Sequence, residues 1–216
     1  MVRYRKVLGA VARRGALAAA MALSGCVAPT TAPRGTGPAS DFIVISDFTV
    51  PQGAVTLDPS FGFSLYRGEA GVPQQQRSAS IGRAVAFLVT DTIVDRLRAR
   101  GYAAVSTINP NPTTGYRALI VTGTFRAIAE GQRRRVGDEH SAVIAQIDVK
   151  AETPGAPIQP VQSFAVDSRS APQTRAESGA TRRETGVDAD ATRVGAEIAR
   201  IVADVAQRNN WVPAQR

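Results

Sequence analysis

The sequence predicts an α+β fold, with a single mixed β-sheet of about five strands and two main helices on one face. Three observations point to it. Two segments carry apolar residues at three- and four-residue steps: Ile81, Val85, Leu88, Val89, Ile93 and Leu97 in the first, Ala191, Val194, Ile198, Ile201, Val202 and Val205 in the second. Two others alternate with a period near two, the pattern of strands buried on one face. The first helix lies between two strand-like runs, the order of a parallel unit with a right-handed crossover.

The first strand is Phe42-Ile43-Val44-Ile45, followed by Phe48 and Val50. Residues 52–78, rich in Gly, Pro, Gln and Ser, read as a long mobile loop. The helix is expected over Ile81–Arg100, with Leu88 toward the sheet and Gly101 as its stop. Tyr102–Ile108 resumes strand composition before a turn at Asn109-Pro110-Asn111-Pro112. Leu119, Val121, Phe125 and Ile128 then form the apolar side of a long strand, and Val143, Ala145, Ile147 and Val149 that of its partner. The polar stretch between them, Glu130–Gly137, reads as a hairpin end. Val161–Val166 adds a further strand after the turn at Pro154–Pro157, and residues 169–187 read as a second mobile loop. Asp188 is placed to cap the last helix, Asn209-Asn210 to end it, and Trp211 to pack back onto the domain. No internal repeat is visible.

Ahead of this domain, residues 1–25 have the design of an export signal. Arg3, Arg5, Lys6, Arg13 and Arg14 form a basic start without acids, and Gly15–Leu23 is apolar. A membrane-spanning helix needs about 20 apolar residues, roughly twice that run. Leu23-Ser24-Gly25-Cys26 resembles the lipobox of bacterial lipoproteins: small residues before the cut, and a thiol to take the lipid. Cleavage is expected between Gly25 and Cys26, with Cys26 as the lipidation site. No Phe-Leu follows Arg13-Arg14, which favours general secretion over twin-arginine export. Val27 stands where an Asp would signal inner-membrane retention, so the expected address is the outer membrane, with the domain, residues 41–216, facing the periplasm. Residues 26–40 contain three prolines and two glycines and read as a tether. From Val27 it would reach about 45 Å when stretched and about 20 Å as a coil.

The signal also alters the charge argument. Five of the chain's 26 bases precede Cys26, which leaves 21 bases against 18 acids, a net of +3. That balance does not call for a nucleic-acid partner. Cys26 is the only cysteine, which removes disulfides and thiol catalysis from the domain. His140 is the only histidine and has only acids beside it; no Gly-x-Ser-x-Gly elbow or phosphate loop appears, and no metal or cofactor is implied. Lys150 is the one lysine after the signal.

Arg133, Arg134 and Arg135 at the hairpin end, with Arg182 and Arg183 in the second loop, are the candidates for anionic-ligand contact, since arginine forks suit phosphate and carboxylate. A solvated turn, with Asp47 or Glu130 paired to these arginines, is the bland alternative. The expected role is a non-catalytic interaction or assembly module, held to the membrane by its lipid anchor and meeting an envelope protein partner. The alternative is a binder of an anionic lipid or glycan, and a cell-wall hydrolase is a remote third.

Val44-Ile45-Ser46-Asp47-Phe48, Leu97-Arg98-Ala99-Arg100-Gly101-Tyr102 and Gly123–Gly131, followed by Arg133-Arg134-Arg135-Val136-Gly137, resemble domain-of-unknown-function family 4410. The resemblance runs from about Phe42 to Trp211 and implies a bacterial envelope protein, commonly a lipoprotein. Where members often continue with a second glycine-rich stretch, this chain has Asp138-Glu139-His140. The layout is also similar to small periplasmic mixed-sheet domains of envelope assembly machines, an analogy of fold alone.

Overall fold

Strand β1 (Phe42–Ser46) sits inside the sheet because its side chains suit no exposed position: Ile43, Val44 and Ile45 are all buried. Its neighbours, both parallel to it, are β3 (Ala103–Thr107) and β4 (Ala118–Ala129). In this computed structural model, residues 42–58, 73–131, 140–172 and 186–211 are described. The antiparallel β5 (Ala142–Glu152) and β6 (Gln159–Asp167) complete the order β3-β1-β4-β5-β6, and the two-residue β2 (Val55–Thr56) pairs with the far end of β4. The predicted mixed-sheet α+β architecture is therefore present, with six strands.

Helices α1 (Gln74–Ala99) and α2 (Val187–Arg208) pack on each other and on one sheet face. Val85, Val89, Ile93 and Leu97 meet Ile198, Val202 and the inward strand residues in one core. The two helices approach closely at Gly195, where a Cβ would lie 2.8 Å from the Thr92 Cβ and 3.0 Å from the Val89 carbonyl. Trp211 is buried as expected, under the Arg117 guanidinium at 4.3 Å from its ring centre.

Strand β4 shows why its apolar pattern is offset. A bulge between Phe125 and Ala127 inserts Arg126, so inward side chains pass from Leu119, Val121, Gly123 and Phe125 to Ile128. Glycine at 123 makes room for the ring of Phe48, which tilts against Phe125 at 5.5 Å.

Several expected boundaries need correction. Helix α1 begins at Gln74, not Ile81, so the end of the predicted 52–78 loop is helical. Its first turns are exposed and polar and lack a side-chain cap, which removed both the stripe and the start signal. The same predicted loop contains β2; its residues 59–72 lie outside the described set. Leu88 is only partly buried, at the margin of the stripe that Val85 and Val89 centre. The predicted 169–187 loop opens with a turn closed by Asp167 and ends in α2; residues 173–185 are not described. Asp188 does not cap α2: Gly186, at φ 126°, holds that position, and Asp188 and Asp190 sit in the first turn, where the helix dipole favours acids. Asp190 is buried and paired with Arg193.

Candidate binding site on the open sheet face

The chain leaving β3 has an unusual task. Strands β3 and β4 are both parallel to β1 and lie on either side of it. Residues 108–117 must therefore run back along the sheet and step over β1. With the helices on one face, this return crosses the other. Ten residues reach about 33 Å at full stretch, enough to return along a short strand without a helix. The expected turn at Asn109–Pro112 lies within this crossover.

Each stage of this segment is fastened. The Ser46 hydroxyl donates to the Asn109 carbonyl at 2.7 Å, and Asn109 Oδ1 accepts from the Asn111 N–H at 3.0 Å. The Thr114 N–H and hydroxyl donate to Glu152 Oε2, each at 2.9 Å, and the Gly115 N–H to Oε1 at 3.1 Å. Gly115 has φ +67°, a conformation costly for other residues. Tyr116 then tilts over Phe42 at 6.1 Å. Beneath this roof Val44 and Ile120 are 5% and 2% exposed, although they point away from the helices.

Glu152 is the roof's anchor. Burial acts to raise its pKa, but the bonds from Thr114 and Gly115 outweigh this and hold the carboxyl below the usual glutamate range. A lowered folded pKa gives stability that is complete above the unfolded value and lost as pH falls through the folded one. Glu152→Gln is expected to cost about 1–3 kcal/mol in urea unfolding at pH 7. The gap between variant and wild type should close as the pH is lowered below the carboxylate range. A gap that stays constant with pH would contradict this role.

Where roof meets sheet there is a pocket of about 400 Å³, within the size range of small-molecule sites. Ile120 and the buried Pro112 form its inner side; Pro110, Ile158 and Pro160 are its outer apolar walls. Asn111, Thr113, Thr122 and Lys150 add polar groups. Lys150 reaches this face because its register partner is Ile120. Among the described residues its ammonium has no hydrogen-bond or ion-pair partner. Further along the same face runs a polar chain. Arg126 donates to Gln146 Oε1 at 2.8 Å, Gln146 Nε2 donates to the Ser163 hydroxyl at 2.9 Å, and that hydroxyl donates to Asp148 Oδ1 at 2.6 Å.

Gly25, Cys26, the tether, Arg133, Arg134, Arg135, Arg182 and Arg183 lie outside the described residues. The antiparallel pairing of β4 with β5 ends at Ala129 opposite Ala142. Glu130 has other partners: it accepts the Asp58 N–H at 2.9 Å and pairs with Arg77 at 3.4 Å. Asp47 is exposed at the end of β1, and His140 is exposed before β5. Lys150, Glu152 and the proline walls were not among the site residues expected from sequence. The one available signal was the Asn-Pro-Asn-Pro run, too stiff and extended for a simple turn between hairpin strands.

Among the described residues, no helix is long and apolar enough to cross a membrane. The chain matches no protein-family model, and no curated protein matches it significantly. Among solved structures it is similar to a Helicobacter pylori protein described as a neuraminyllactose-binding hemagglutinin homolog, at 11% identity over 79% of this chain and 83% of that one, with a TM-score of 0.32. It is similar also to PelC of Paraburkholderia phytofirmans, solved as a dodecamer, at 10% identity over 74% and 86% with a TM-score of 0.32. A hypothetical protein of Chlamydia trachomatis gives 10% identity over 79% and 96% with a TM-score of 0.29. Likenesses this distant carry no inference about function.

Proposed function

We propose that this chain is a lipid-anchored outer-membrane protein of the bacterial envelope. Its periplasmic domain acts as a non-catalytic binding module through the open face of its sheet. The address rests on Leu23-Ser24-Gly25-Cys26 behind a basic, then apolar, start, and agrees with the resemblance to family 4410. The binding role rests on one observation. The sheet face opposite the helices is roofed over one half, where a pocket opens, and displays an exposed polar chain on the other. A rigid sheet carrying such a face positions its groups precisely enough for recognition without further ordering.

Cys26→Ser tests the address. The wild type should mature and partition with outer membranes, while the variant should accumulate as a full-length, unlipidated precursor. Normal maturation and unchanged partitioning of the variant would end this reading.

A second reading is favoured by Glu130. Its Oε2 is engaged by Arg77 and the Asp58 N–H, so this acid has partners other than Arg133, Arg134 and Arg135. Those arginines would then be available to an anionic lipid or glycan of the envelope.

A further inference from the structure

We infer that the pocket under the crossover binds a small organic carboxylate, with its charge at Lys150 and its apolar body between the proline and isoleucine walls. The inference rests on the reading of the open face as the working surface. Three features select this class. Among the described residues, Lys150 is the only cation lining the pocket, and its ammonium has no partner there. A flexible ammonium pairs well as a point charge, whereas a bidentate oxyanion site would use arginine. The walls are mostly apolar, with Pro110, Pro112, Pro160, Ile120 and Ile158 contributing, so a ligand that is all charge would leave them wet.

Multiply charged oxyanions fit poorly. The roof's N–H groups at Asn111, Thr114 and Gly115 are already given to Asn109 and Glu152, so they cannot form an anion cradle. Asp148 and Glu152 stand two residues to either side of Lys150 on the same strand and face. Their charges would repel a phosphate dianion more strongly than a carboxylate. A single negative charge on an apolar body is what remains.

The probes are benzoate, its neutral counterpart benzyl alcohol, and inorganic phosphate, titrated into the isotopically labelled full chain by NMR. Benzoate is expected to move the amide resonances of Thr113, Thr122, Lys150 and Ile158 together and to saturate. Benzyl alcohol and phosphate should not saturate at the same concentrations. Lys150→Gln should weaken benzoate binding about tenfold, and Lys150→Arg should retain most of it, with weaker binding at higher salt. Equal responses to benzoate and benzyl alcohol, unchanged binding by Lys150→Gln, preferred binding of phosphate, or no shifts at the pocket would each overturn the inference. Should Lys150→Gln not fold, the comparison of probes on the wild type and Lys150→Arg decides alone. Failure here leaves the open-face reading standing if a partner still contacts Thr124 and Ser163, so the two can be separated.

Discussion

Ile198→Asp is expected to abolish the folded domain. Ile198 is fully buried in α2, in the core shared with α1 and the sheet. A carboxylate there would be cut off from water without a partner, at a cost of several kcal/mol. Native domains hold only about 5–15 kcal/mol in total. Val89→Asp, equally buried on α1, should behave alike. Leu88→Asp should be milder, because this side chain is only partly buried and a carboxylate could turn toward solvent. Circular dichroism during heating would show a lost or sharply lowered transition for Ile198→Asp and Val89→Asp, and a smaller shift for Leu88→Asp. If Leu88→Asp proved the most damaging, the assigned face of α1 would be wrong.

Gly123→Ala should cost about 3 kcal/mol, although alanine is ordinarily the better strand residue. The added methyl would lie 2.1 Å from Phe48 Cε1, and the ring cannot withdraw without losing its packing on Phe125. Because the backbone at 123 is not in the left-handed region, the penalty is steric alone. Removing the ring should therefore remove the penalty: Gly123→Ala should cost much less in a Phe48→Ala background, a coupling that urea unfolding of the double-mutant cycle measures. Additive costs would show that the two residues do not meet.

What could be read in advance follows from how many residues share a signal. The stripe on α2 and the alternation of β5 each repeat over several positions, so the core they build was legible, as was the packing of Trp211. Even the offset between Phe125 and Ile128 was present in the sequence, though its cause, the bulge at Arg126, needed the pairing register. Strand β2 has two residues and no periodicity to detect. The first turns of α1, from Gln74, are exposed, so hydrophobic spacing could not reveal them.

The site was hidden for a different reason. Its walls come from residues 110–113, 120, 122, 150, 158 and 160, separate stretches of the chain, each ordinary alone. Only the order β3-β1-β4 brings them together, because it forces the chain to recross the sheet. Glu152 looked like one more strand-end acid, yet it holds that crossing in place.

The central claim is that the domain works through the sheet face opposite its helices. Photo-crosslinking in living cells tests it most directly, with the reactive residue placed at Thr124 or Ser163 on that face, or at Asp91 on the exposed side of α1. The account predicts one discrete crosslinked envelope species from Thr124 and from Ser163, and none from Asp91. The same species from Asp91 alone, or no species from either sheet position, would contradict it.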